Sequence, residues 1–195
     1  MCSSPAEAHA LKRRGEGFSL MRRLILFRHA KAAPRAPGQG DSDRPLTMRG
    51  IEDSAATALR LARDDVIPDI VLVSPSVRTL QTWDHARSAF PHARSQIVDA
   101  IYDATTDDLT RVLAQAPHDA ATVMVIGHNP GLQELSVDLS VAGGAQAHQV
   151  DQLEARFATA WAAVFLIDPD GRARFNGLVT PRGLTPEDTA AGDFA

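Results

Sequence analysis

Three apolar runs in this sequence each give way to groups that can hold an anion. Leu24-Ile25-Leu26-Phe27 stops on Arg28-His29. Ile70-Val71-Leu72-Val73 stops on Ser74-Pro75-Ser76, with Arg78 a few residues further on. Thr122-Val123-Met124-Val125-Ile126 stops on Gly127-His128. Guanidinium forks match phosphate oxygens in geometry and charge. An imidazole among them can be a nucleophile when deprotonated, and adjacent positive charge lowers its pKa and keeps it neutral. A transferring phosphoryl group is nearly metaphosphate-like, so fixed positive donors around it provide most of the catalysis. Two imidazoles and two guanidiniums, with no cysteine nearby, point to phosphoryl chemistry rather than to a metal site.

For these four side chains to meet, the three runs must be strands of one parallel sheet. The carboxyl ends of such strands lie along one edge, where ligands bind in open α/β sheets. Each run is continuously apolar, as expected of a strand covered on both faces. Helix starts at that edge add free backbone N–H groups, which favour an anion. After Pro34 to Pro45, a loop rich in Pro, Gly and Asp, Thr47 or a neighbour can cap a helix running to about Arg63. Further helices are expected from Val77 to about Phe90, from Asp107 to Ala116 and from Leu132 to Leu139. Gln96-Ile97-Val98 reads as a short strand, and Gly143-Gly144 as a loop. A strand within Phe157 to Ile167 turns at Asp168-Pro169-Asp170-Gly171 and pairs with Arg172 to Val179. The alternation predicts an α/β fold, a three-layer α/β/α sandwich around a mainly parallel sheet.

The 195 residues suit one domain. Residues 1–20, polar and without period, are expected to be a disordered tail. The domain is expected over 21–184, and 185–195 reads as a second tail. Met21 could be the real start of translation, and a basic targeting leader is the alternative for the first segment. The net charge of −4 implies no general attraction to nucleic acid or to a membrane surface. The single cysteine, Cys2, excludes a disulfide framework, a thiolate zinc site and, in practice, a cysteine-nucleophile phosphatase. No run is long enough to span a membrane, and a cytoplasmic protein is the default.

Three segments together carry a resemblance: Arg28-His29-Ala30-Lys31-Ala32, Ser74-Pro75-Ser76-Val77-Arg78-Thr79-Leu80-Gln81-Thr82, and Gly127-His128-Asn129-Pro130-Gly131. In this order, at strand ends, they resemble the histidine phosphatase superfamily. Asp43-Arg44-Pro45-Leu46-Thr47-Met48-Arg49-Gly50 and Val179-Thr180-Pro181-Arg182 match in kind the compact branch related to the phosphohistidine phosphatase SixA. The resemblance spans about Met21 to Leu184. It implies a phosphoglycerate mutase-like fold and a two-step transfer without cofactor or metal. His29 would attack phosphorus and become phosphohistidine. Arg28, Arg78 and His128 would hold the phosphoryl oxygens, with Arg44 an added phosphate contact. Water would then release phosphate. The superfamily's commoner third residue is glycine, where this chain has Ala30. Larger members use a carboxylate between the second arginine and the second histidine as general acid. Asp103 is the first candidate here and Asp41, in the loop before Arg44, the second.

Other groups have plainer readings. His85, His92, His118 and His148 read as surface histidines. Asn129 and Gly131 read as turn residues, Asn129 also as an orienter of the site. Trp83, Trp161 and Tyr102 read as core or rim packing. Only about fifty residues separate Arg78 from His128, too few for a lid domain. An open site favours a phosphorylated protein side chain such as phosphohistidine as partner. The alternatives are a phosphomonoesterase acting on small phosphate esters, a phosphate-binding regulatory module without turnover and, least favoured, a metal hydrolase.

Overall fold

The computed structural model describes residues 21–183. Both expected tails therefore lie outside the described residues. Within them, six strands form one sheet: β1 (Arg23–Arg28), β2 (Ile70–Val73), β3 (Arg94–Ile97), β4 (Thr122–Gly127), β5 (Ala162–Ile167) and β6 (Ala173–Val179). Their spatial order is β3-β2-β4-β1-β5-β6. The pairs β2–β3, β2–β4 and β1–β4 are parallel, whereas β1–β5 and β5–β6 are antiparallel. The helices are α1 (Met48–Arg63), α2 (Val77–Ala86), α3 (Thr106–Ala114), α4 (Gly131–Ala142) and α5 (Ala147–Ala155). This is the α/β sandwich around a mainly parallel sheet that the alternating pattern predicts.

Pleating explains the three layers, because successive strand residues face opposite ways. Leu24, Leu26, Leu72, Val123 and Val125 join one core with Leu109, Leu113, Leu132, Leu135 and Leu153 from α3, α4 and α5. Ile25, Phe27, Val71, Val73, Met124 and Ile126 join the other with Ala58, Leu61, Trp83 and Ala86 from α1 and α2. Leu24 to Phe27 have no exposed surface at all, and burying each such side chain contributes about 1.5–3 kcal/mol. That continuous burial is what holds the end of β1 in a fixed place.

Register sets the level at which the strands end. Arg28 lies opposite Gly127, and Val73 opposite Ile126. Arg28-His29, Ser74 and His128 thus leave the sheet side by side. α1 is fixed near this edge by Thr47, whose Oγ1 accepts the Gly50 N–H while its own N–H donates to the Lys31 carbonyl. Gly50 is required there: a Cβ would stand 2.3 Å from the Lys31 carbonyl oxygen.

Two differences from the sequence reading have physical causes. α5 is not foreseen by the pattern. It buries only Leu153 and is started by reciprocal hydrogen bonds between Gln146 and Gln149, so it carries no apolar stripe. The third strand lies at 94–97 rather than 96–98 because pairing with β2, not side-chain character, defines it; all four of its residues are exposed.

Candidate active site

Arg28 is the last residue of β1. Its Nη1 donates to the Phe157 carbonyl at 2.7 Å, and Asn129 Nδ2 donates to the same oxygen at 3.0 Å. Gln133 accepts from Asn129 through Oε1 and donates through Nε2 to the carbonyls of Leu153 and Glu154. The unforeseen helix α5 and the turn after it therefore supply the oxygen that aims Arg28. No periodicity in the sequence signals that anchor; Asn129 beside His128 is the one clue.

His29 follows at once. Its Nδ1 lies 2.8 Å from the Ala30 carbonyl, which can only accept, so Nδ1 carries the ring proton. In the neutral ring, Nε2 is then a free lone pair. Burial above all, with Arg78, Arg28 and Arg44 adding to it and the Ala30 hydrogen bond opposing, pushes the pKa down to about 4. The backbone behind it is pinned by Thr82 of α2, whose Oγ1 accepts the Ala30 N–H.

The His128 ring centroid lies 5.2 Å from that of His29. Its Nε2 is 2.8 Å from Ser74 Oγ, and its Nδ1 is buried with no protein partner. Burial holds its pKa near 3, with His29 and Arg78 adding to the effect. The edge of the Tyr102 ring packs on it at 5.4 Å.

Arg78, in the first turn of α2, is only 6 % exposed. Its Nη1 donates to the Asp41 carbonyl at 2.7 Å and its Nη2 pairs with Asp41 Oδ2 at 2.9 Å. Asp41 Oδ1 takes Arg44 Nη1 at 3.0 Å, and Oδ2 also receives the Tyr102 hydroxyl at 3.3 Å. Arg44 Nε is held by the Ala33 carbonyl at 2.9 Å. Arg44 and Arg78 together keep the Asp41 carboxyl below its ordinary range, with the Arg44 hydrogen bond the largest cause.

The four strand-end groups thus meet, and Arg44 and Asp41 join them at the mouth. Asp103 does not join: it is an exposed turn residue at φ 52°, with no hydrogen bond or ion pair to the cluster. Tyr102 beside it, expected only to pack, touches His128 and Asp41, and the Arg78 guanidinium lies 5.9 Å from its ring centre. Trp83 and Trp161 are core residues. His92, His118 and His148 are exposed and His85 is partly so. Among the described residues, no group of three or more His, Cys, Asp or Glu side chains is arranged to hold a metal ion.

Buried polar atoms without partners are costly, and a ligand that supplies the missing partner relieves that cost. Arg28 Nε and His128 Nδ1 are two such atoms, both in this cluster. Arg28 Nε–H can only donate. Guanidiniums and neutral imidazoles converging on one place suit a tetrahedral oxyanion.

The model of the histidine phosphatase superfamily, branch 1, matches residues 24–103. A SixA-named protein of Agrobacterium tumefaciens superposes with a TM-score of 0.72 at 30% identity, over 83% of this chain and 99% of that one. The chain belongs to the histidine phosphatase superfamily. The phosphohistidine phosphatase SixA of Escherichia coli is 27% identical over 164 residues, 83% of this chain and 95% of the relative. The structure of the protein histidine phosphatase SixA complexed with tungstate has a TM-score of 0.69 at 26% identity, covering 84% of this chain and 99% of that chain. The chain is accordingly a phosphatase of the SixA-like branch, with a phosphoglycerate mutase-like fold. Among the described residues no helix is long and apolar enough to cross a membrane.

Proposed function

We propose that this phosphatase works through a phosphohistidine intermediate on His29 and that its substrate is phosphohistidine on a protein. The observation that carries the reading is the state of His29: its proton is committed to the Ala30 carbonyl and its pKa lies near 4, which leaves Nε2 a lone pair at neutral pH. Arg28, Arg78 and His128 hold the phosphoryl oxygens, and Arg44 with Asp41 lines the mouth. Nε2 of His29 attacks phosphorus. The bond from phosphorus to the substrate's ring nitrogen breaks, and its electron pair stays on that nitrogen. The leaving imidazole, protonated beforehand on its other nitrogen, departs neutral. Water then attacks the phosphorylated His29, the P–N bond breaks, and inorganic phosphate leaves with the water's proton passing to it or to solvent.

The same chemistry supports the choice of substrate. An alkoxide leaving group needs a carboxylic acid nearby. Asp41, the carboxylate in the cluster, is held ionised by two arginines, while Asp103 stands outside it. An imidazole leaving group needs no proton delivered during the step. The lone cysteine supports a cytoplasmic setting. The catalytic unit in this reading is one domain, 21–184.

The test is a substrate panel of a phosphohistidine protein, an aryl phosphate and sugar phosphates, run on the wild type and His29→Ala. Turnover of the phosphohistidine protein should exceed that of the sugars, and labelled phosphate should be trapped on His29. The variant should lose roughly a thousandfold or more. Preference for the sugars would move the reading to a small-molecule phosphomonoesterase. Absence of turnover throughout would move it to a phosphate-binding module.

A further inference from the structure

His128 faces a problem that its surroundings create. A phosphoryl oxygen needs a donor, yet a ring whose pKa lies near 3 is neutral at working pH and carries one proton on one of two nitrogens. If that proton sits on Nε2, the buried Nδ1 presents a lone pair, which would repel an oxyanion. If it sits on Nδ1, the neutral ring donates.

We propose that Ser74 is the positioning residue that makes this choice: its hydroxyl donates to His128 Nε2 and so keeps the ring proton on Nδ1, where a phosphoryl oxygen can take it. The inference rests on the reading of His128 as a phosphoryl-oxygen donor. Ser74 Oγ lies 2.8 Å from Nε2, and both residues are buried, with Ser74 wholly so. The serine is fixed from two sides at the end of β2. Its N–H donates to the Ile126 carbonyl at 3.1 Å, and its own carbonyl accepts Thr79 Oγ1–H at 2.8 Å. Its hydroxyl has no other partner among the described residues; if it accepted from the ring its own buried proton would be left without an acceptor, whereas donating to Nε2 satisfies it. Nδ1, at the other side of the ring, is the atom left without a protein partner. The charged and titratable groups near the ring are His29, Arg78, Arg28 and Asp41, with Tyr102 packed on its edge. None of them is placed as a hydrogen-bond partner of Nε2, which leaves Ser74 as the partner of that nitrogen.

The design has a consequence for charge. A protonated His128 would donate equally well, but it would add a further positive charge beside the nucleophile and bind product phosphate more tightly. A serine-set neutral ring donates without that added hold on the product.

The test is nitrogen NMR on the wild-type protein with 15N-labelled histidine at pH 7. Expected is a His128 ring with a protonated Nδ1 and an unprotonated, hydrogen-bonded Nε2, and a shift of the Nδ1 proton when inorganic phosphate is added. A proton on Nε2 in the wild type overturns the inference, whatever the enzyme's substrate proves to be. A correct tautomer with no response to phosphate instead overturns the role given to His128 in the proposed function. Ser74→Ala should move His128 toward the Nε2-protonated form and lower kcat roughly tenfold, with little change in KM. Unchanged turnover in that variant would also overturn the inference. If the variant fails to fold, the wild-type spectrum decides alone.

Discussion

Replacing Asp41 by asparagine removes one negative charge from the mouth of the site and keeps the shape of the side chain. Asp41 occupies both terminal nitrogens of Arg78, through its carbonyl at 2.7 Å and its Oδ2 at 2.9 Å. An incoming phosphoryl group must take up part of that guanidinium. A charge-assisted hydrogen bond in a buried place contributes about 1.5–3 kcal/mol. The Asp41 side chain is 47 % exposed, so solvent screening brings its pairing nearer to about 1 kcal/mol. Removing the carboxylate should therefore tighten inorganic phosphate by about fivefold. Titration calorimetry at pH 7.5 would measure this, and the gain should shrink as salt is raised. The same variant should show stronger product inhibition. If Asp41 were instead the acid for the leaving group, the asparagine variant would lose about a hundredfold or more on alkyl phosphates with phosphate affinity unchanged. Unchanged or weaker phosphate binding would refute the idea that Asp41 competes with the substrate for Arg78.

Two further outcomes follow from burial around the same edge. His29 and His128 titrate near 4 and 3 when folded, against an ordinary value of 6.5, so the unfolded chain binds more protons between those values. Stability must then fall as the pH drops below about 6.5, read as a lower Tm at pH 5 than at pH 7, while phosphoryl transfer to His29 stays near its neutral-pH rate down to pH 5.5 and is lost toward pH 4. Gly50→Ala places a methyl group against the Lys31 carbonyl at 2.3 Å; backbone cannot swing aside as a side chain can, so a loss of about 2–3 kcal/mol is expected, visible as a Tm lower by roughly 4–12 °C.

The parts of the site that were legible in the sequence are those set by β-strand burial. Leu24 to Phe27, Ile70 to Val73 and Val123 to Ile126 are apolar without interruption, and such runs have few options other than a doubly covered parallel sheet. Once those strands are granted, the positions of Arg28, His29, Arg78 and His128 follow from topology. What the sequence could not reveal depends on backbone oxygens and on loops. The Phe157 carbonyl that aims Arg28 is available at any residue type. The hydrogen bonds of Asp41 depend on how the loop from Pro34 to Pro45 folds back over α2, where the Val77 N–H meets the Ser42 carbonyl at 2.8 Å. Asp103 outranked Asp41 on chain position alone, and only the folded loop shows which of them reaches the arginines.

The protonation states of this site come from the same burial that builds the sheet. A cationic nest would ordinarily be expected to hold charged histidines poorly and anionic ligands strongly, and here the first tendency serves the attack of His29 in the proposed mechanism. Both rings are neutral, so in the proposed mechanism His29 has a lone pair with which to attack and His128 donates without adding charge. The arginines then supply the fixed positive field, with Asp41 neutralising part of it until a phosphoryl group arrives. A carboxylate paired with the arginines competes with product as well as with substrate, which favours release after each turnover. Ester hydrolysis would need that same carboxylate protonated, and two guanidiniums within 3.0 Å oppose it. In the proposed mechanism, this balance of charges at the mouth is what inclines the site toward leaving groups that already carry their proton.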